Sequence, residues 1–318
     1  MNVVPLWRDA ASSFCIALLV AAVLAAPVFR LLLALKSRQE VSKFAPEGHQ
    51  KKQGTPTMGG LIVLGGALAA LLPQPGSSVP IGLLLGFALV GFLDDFVVPR
   101  ALKGKRGLGW VPKLVLEAAA TVGAFSAGGA LARDPVWLGV AVFAVLFCAN
   151  AYNFADGLDA LAGGLLLALA PGFLLLATLW SNPVVAVLVA ALCGAMLPFL
   201  FLNAPPARVF MGDVGSLPVG ALLGWAMAQL AGTSGMGEPA RWAVLAVLGL
   251  VLVAELVPVP IQIASVKLTG RRVFPRTPIH HAFEHKGWPE TRVTWMFLLV
   301  QVACSGIAAT IALRWGVL

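Results

Sequence analysis

The chain has 318 residues, 59% of them hydrophobic and only 11% charged, with a formal charge of +8. A soluble globular domain carries roughly 25% charged residues, so composition excludes one and predicts an all-α, polytopic integral membrane protein, read as one domain over 1–318. The positive balance does not point to nucleic acid, because the Lys and Arg residues follow a membrane pattern.

A helix needs about 20 apolar residues to cross a bilayer, and ten such runs are readable: near 11–35, 57–73, 80–98, 112–132, 135–152, 161–180, 183–202, 214–232, 241–268 and 292–315. The first is too long, and too poorly followed by a small-residue cleavage site, to be a removable signal peptide. Before the second comes "KKQGTPTMGG", basic and Gly-rich like a phosphate loop but without the order of a P-loop. The third run ends in "GFLDDF". Its adjacent Asp94 and Asp95 have no compensating lysine within the span, which argues for a metal or acid–base role. Neighbours on a helix point about 100° apart, so a frayed helix end is expected to let both approach one cation or phosphate.

The fifth run leads into "NAYNFADGLDALAGG", where Asn150, Asn153, Asp156 and Asp159 recur every third residue. They form one stripe if the segment stays helical, although Gly157 permits a bend. Such oxygens suit a polar ligand or a hard cation; alternatively, Asp159 caps the next helix. After the seventh run, "NAPPARVFMGDVGS" sets Asp213 between glycines, in a loop whose backbone can approach a phosphate or metal. The ninth carries Pro258 and Pro260, which predict a bent helix. Beyond it, "PIHHAFEHKGWPE" offers His280, His281, Glu284, His285 and Lys286 without further ligands at zinc spacing, so phosphate or sugar contact is expected rather than zinc. The four cysteines lie inside apolar runs and read as core residues.

Of 22 Lys and Arg residues, 18 fall in the loops after runs 1, 3, 5, 7 and 9 or at the adjoining helix ends, leaving Arg8, Arg133, Arg241 and Arg314 opposite. The rich side is then cytoplasmic and both termini are outside. The other connections, "PQPGSSVP", "ARDP", "WSNP" and "GTSGMGEPAR", look like plain turns. Every polar cluster therefore falls on the cytoplasmic face, which predicts a single site there. Carboxylates ringed by cationic loops suit Mg2+-assisted phosphoryl transfer, and a lipid-borne substrate accounts for its place in a membrane. A secondary transporter is disfavoured, because its site lies near the bilayer midplane between repeats, and no internal repeat is visible.

In order along the chain, "KKQGTPTMGG", "GFLDDF", "NAYNFADGLDALAGG", "NAPPARVFMGDVGS" and "PIHHAFEHKGWPE" resemble the cytoplasmic motifs of the bacterial phospho-N-acetylmuramoyl-pentapeptide transferase family. The aspartate motifs are shared with the wider polyprenyl-phosphate N-acetylhexosamine-1-phosphate transferases, whereas "GTPTMGG" and "PIHH…KGWPE" mark the muramoyl-pentapeptide branch. The resemblance implies a ten-helix protein of the bacterial inner membrane. It implies transfer of phospho-MurNAc-pentapeptide from UDP-MurNAc-pentapeptide to undecaprenyl phosphate, giving lipid I and UMP with Mg2+ as cofactor. A GlcNAc-1-phosphate transferase acting on the same lipid is the alternative, and the oligomeric state is open, a homodimer included.

By the same resemblance Asp213 is the Mg2+ ligand, and Asp94 and Asp95 serve the lipid phosphate. Asp156 and His281 join the catalytic set, while Lys52, Thr57, Asn153, Asp159, Asn203, Phe210, Gln262 and His280 contact substrate. The bent ninth span would border a groove for the prenyl chain. Two departures stand out: Ala282 replaces the family's third consecutive histidine, and Phe96 a common tyrosine.

Overall fold

The computed structural model describes residues 4–35, 54–102, 107–232 and 237–314, so the expectation for Lys52 lies outside the described residues. Their regular elements are all helical: α1 (Val4–Ala34), α2 (Gly60–Leu71), α3 (Ser78–Phe92), α4 (Trp110–Ala127), α5 (Pro135–Ala155), α6 (Leu161–Leu179) and α7 (Pro183–Asn203). After them come α8 (Asp213–Ala231), α9 (Pro239–Leu248), α10 (Leu250–Leu256), α11 (Pro258–Thr269), α12 (Ile279–His285) and α13 (Glu290–Arg314).

Each predicted apolar run is helical, and eight helical stretches are long and apolar enough to cross a membrane. The remaining two runs are α2, with 12 residues, and α4, whose 18 residues include Lys113 and Glu117. Two of the plain turns prove to be helix starts. Asp134 accepts from the Val136 and Trp137 N–H groups ahead of Pro135, and Asn182 accepts from the Val185 N–H ahead of Pro183. A side-chain oxygen at the N-cap and a proline in the first turn together satisfy donors that the helix leaves open.

Helix α8 is the axis of the bundle, with 94% of its apolar window buried. It packs on α5, α3 and α2, and its first turn is held by main-chain contact. A methyl group on Gly60 of α2 would collide with Gly215, and one on Gly91 of α3 would collide with the Asp213 backbone. Only glycine permits these approaches.

The ninth run differs from a single bent helix. It is divided into α9, α10 and α11, with breaks at Gly249 and Val257. Pro258 and Pro260 remove two backbone donors after the second break, and beside the first the Leu248 carbonyl accepts from Gln301 Nε2 on α13 at 2.9 Å. Such a side chain satisfies backbone where a membrane helix is interrupted. The four cysteines are free, and Cys148, Cys193 and Cys304 are buried as core residues, whereas Cys15 is exposed on the surface of α1 and is not one.

Candidate active site

An up-and-down bundle returns the C-terminal ends of α3 and α5 and the N-terminal ends of α2, α4 and α8 to one face. The polar residues meet there. Helix α3 runs on into a π-helical turn, Leu93–Val97, that contains Asp94 and Asp95. The helix end is therefore wider-wound rather than frayed, and the π turn is what aims two sequence neighbours at one region. The Leu108 N–H donates to Asp94 Oδ1, and the Val214 N–H donates to Asp95 Oδ2 at 3.2 Å. Both carboxylates are thus fixed by backbone, Asp95 by the first turn of α8.

Asp213 opens α8. Its Oδ1 accepts from Asn153 Nδ2 at 2.7 Å, and Asn153 Nδ2 also reaches Ser216 Oγ at 2.9 Å. Its Oδ2 pairs with Lys113 Nζ of α4, which also lies 3.8 Å from Asp94 Oδ2. One carboxylate oxygen from each of Asp94, Asp95 and Asp213 falls within 4.8 Å of the others. Hard oxygen donors at that spacing are the donor set for a divalent cation such as Mg2+. The three residues fit such an ion, with Lys113 countering part of their charge.

Lys113 is the main residue that sequence reasoning missed: the span of the acidic pair does lack a compensating lysine, but the next helix supplies one. Glu117, one turn further along α4, is fully buried and accepts from Asn150 Nδ2 at 2.7 Å. Asn150 thus faces a structural partner. The stripe expected over Asn150, Asn153, Asp156 and Asp159 ends early, since α5 stops at Ala155. Asp156 lies just beyond, accepting from the Gly212 N–H. Burial, and then the charge of Asp213, hold its carboxyl well above the usual carboxylate range.

Asp159 is not the N-cap of α6. That position is Ala160, and Asp159 Oδ2 instead accepts from the Ala207 N–H at 2.9 Å, tying the "NAPPAR" loop down. Asn203, also buried, bridges the Ala160 N–H and the Val209 carbonyl, each at 2.9 Å. The Phe210 backbone pairs with Pro56 and Gly59, which stitches the Thr57 loop to the approach of α8. The Thr57 hydroxyl and Asp95 Oδ2 both border Gly212.

The histidine segment forms α12. His281 Nδ1 pairs with Glu284 Oε2 at 2.6 Å, and buried His280 pairs with Glu255 of α10 at 2.8 Å. His285 is exposed at the helix end, while Ala282 is buried with 7% exposure. The third histidine's place is therefore a packing position here. Gln262 Oε1 accepts from the Val273 and Phe274 N–H groups, and its Nε2 donates to the Phe274 carbonyl, so it shapes the loop after α11. Phe96 stacks on Phe92 and lies under Arg100.

A sequence profile of glycosyl transferase family 4 matches residues 78–231, and signature 1 of phospho-N-acetylmuramoyl-pentapeptide-transferases matches residues 52–64. The chain is 38% identical over 304 residues to the phospho-N-acetylmuramoyl-pentapeptide-transferase of Heliobacterium modesticaldum, covering 89% of this chain and 91% of that one. It is 39% identical over 318 residues to the like-named protein of Desulforudis audaxviator, covering 90% and 92%. With that of Clostridioides difficile the identity is 36% over 304 residues, covering 89% and 91%.

Proposed function

The chain belongs to the phospho-N-acetylmuramoyl-pentapeptide-transferase family, and from that premise we infer that it transfers phospho-MurNAc-pentapeptide from UDP-MurNAc-pentapeptide to a polyprenyl phosphate, undecaprenyl phosphate, making lipid I and releasing UMP for peptidoglycan synthesis. A phosphate oxygen of the lipid attacks the phosphorus attached to the sugar, and the bond to the UMP oxygen breaks. The observation that carries this reading is the cluster of Asp94, Asp95 and Asp213 around Lys113, on the membrane face where the polar loops converge. The excess of Lys and Arg on that face supports its placement in the cytoplasm.

Two anions must be brought together, so charge is the main barrier. Asp213, with Asp94 and Asp95, would hold Mg2+, which supplies positive charge against the phosphates. Asn153 orients Asp213 by its 2.7 Å bond. Lys113 offers a fixed cation at the same carboxylates, and Asp156, beside Asp213 and accepting from the Gly212 N–H, completes the polar floor of the site. Lys52, Thr57, Phe210 and His281 are proposed at the donor nucleotide. Asp159, Asn203 and Gln262 contribute by holding the loops that form its walls, and His280, buried and paired with Glu255, is proposed to face the substrate through its other ring nitrogen.

Release of UMP from UDP-MurNAc-pentapeptide and undecaprenyl phosphate in detergent, with and without Mg2+, tests the reading. Preference for UDP-GlcNAc as donor would move the chain to the GlcNAc-1-phosphate transferases.

A further inference from the structure

Residues 156–160, between α5 and α6, carry Asp156 into the site on a turn rather than on a helix. The turn ends at Ala160, with φ 61° and ψ 2°. That is the left-handed region, where a Cβ is crowded and residues other than glycine seldom sit. Such backbone persists only where its surroundings over-determine it.

Three elements do so here. Asn203 Oδ1 of α7 accepts from the Ala160 N–H at 2.9 Å, and the Ala207 N–H of the following loop donates to Asp159 Oδ2 at 2.9 Å. The third element is α13, which takes the main chain of Asp159 from both sides: Glu290 Oε1 accepts from the Asp159 N–H at 2.7 Å, and Thr294 Oγ1 donates to the Asp159 carbonyl at 3.3 Å. Glu290 and Thr294 are one turn apart on α13, so they share a face. Asp159 is 3% exposed and Thr294 5%, so an N–H stripped of its acceptor there finds little solvent to replace it. An acid in the first turn of a helix is favoured by the helix dipole, which accounts for the charge of Glu290 but not for its reach to Asp159. The turn matters to the cluster because Asp156 accepts from the Gly212 N–H, directly before Asp213.

Resting on the phosphotransfer reading above, we infer that Glu290, aided by Thr294, is a positioning residue that clamps the strained turn and so presents Asp156 to Asp213. The segment that follows the histidine helix is thereby tied to the catalytic turn through the main chain.

The test uses the full chain in lipid nanodiscs. Amide hydrogen exchange, read by mass spectrometry on peptides spanning residues 156–161, should quicken by roughly tenfold or more in Glu290→Ala, the scale of a lost bond to a charged acceptor. In the UMP-release assay the same variant should lose roughly tenfold in kcat while KM for the donor moves by less than about threefold, because the turn places a reacting-site group. Glu290→Gln keeps an acceptor oxygen and discards the charge, so it should stay within about twofold of the wild type in both measurements. Adding Ala160→Gly to Glu290→Ala removes the crowded Cβ and should recover about threefold in kcat. Unchanged exchange in Glu290→Ala, a Glu290→Gln as damaging as Glu290→Ala, or no recovery with Ala160→Gly overturns the proposal. If Glu290→Ala fails to give a monodisperse, cooperatively melting protein, Thr294→Val removes the second bond and is carried through the same measurements, with about threefold effects expected. Failure of the wild type to release UMP would instead sink the phosphotransfer reading, and exchange in the turn would still decide the clamp.

Discussion

Lys113→Met keeps much of the side-chain length and removes the only cation paired with the acidic cluster among the described residues. The Lys113 and Asp213 side chains are 15% and 20% exposed, so the pair behaves as a largely buried one. A unit charge 3.8 Å from Asp94 Oδ2, at an effective dielectric of about 20, is worth roughly 4 kcal/mol of attraction. Losing one member of a buried pair typically costs about 3–5 kcal/mol. At about 2–4 °C per kcal/mol for a large domain, the melting temperature in EDTA should fall by at least about 5 °C. The same change removes a charge that repels any divalent ion at the cluster. Mg2+ should therefore bind the variant more tightly, and at equal Mg2+ concentration raise its melting temperature further than the wild type's, the scale being about 2.7 kcal/mol at one hundred times Kd. Thermal unfolding in nanodiscs, with EDTA and with a Mg2+ series, reads both effects. An unchanged melting temperature in EDTA together with an unchanged Mg2+ response would refute the idea that Lys113 and the ion share these carboxylates.

Asp213→Asn should abolish UMP release while melting stays cooperative, because the amide retains the volume; near-normal turnover at saturating Mg2+ removes Asp213 from the site. Asp94→Asn and Asp95→Asn should each cost about a hundredfold in kcat, the scale of a lost general base or metal contact, and a loss confined to one assigns the chemistry to that one. Ala282→His forces an imidazole into a buried position, so it should destabilise by about 1–3 kcal/mol; a tenfold gain in UMP release would instead mean that the natural enzyme is impaired there. Gln262→Ala deletes three hydrogen bonds to the loop after α11, each worth about 0.5–1.5 kcal/mol, and should raise KM for the donor more than it lowers kcat, a split that steady-state kinetics resolves.

The helices were readable because bilayer length imposes long apolar runs, and the convergence of polar loops followed from their alternation between two faces. The pairing of Asp94 with Asp213 across 119 residues was foreseeable only as membership in one cluster. How it is achieved was not, since a π turn leaves no trace in hydrophobic periodicity. Lys113 follows a basic loop in the sequence, and nothing there separates it from the other cations of that loop; only packing brings it to Asp94 and Asp213. Asp159 carries a residue type favoured at helix starts, yet its carboxylate found the Ala207 N–H instead, a choice set by where the "NAPPAR" loop lies. Glu255 was the hardest to see: within a proline-marked apolar run, nothing local distinguishes a buried carboxylate with a distant histidine partner from a residue at a bend.

The glycine contacts of Gly60, Gly91 and Gly215 bear on how substitutions at this centre can be interpreted. The backbone of Asp213 is clamped by α2 and α3 without help from its own side chain. An amide placed there inherits the same main-chain address, so a change in rate can be assigned to altered charge rather than to a displaced scaffold. Alanine at Gly91 is the natural contrast: it leaves every carboxylate in the sequence intact while denying Asp213 its position. Comparing Gly91→Ala with Asp213→Asn would therefore separate the value of having the right groups from the value of having them in the right place.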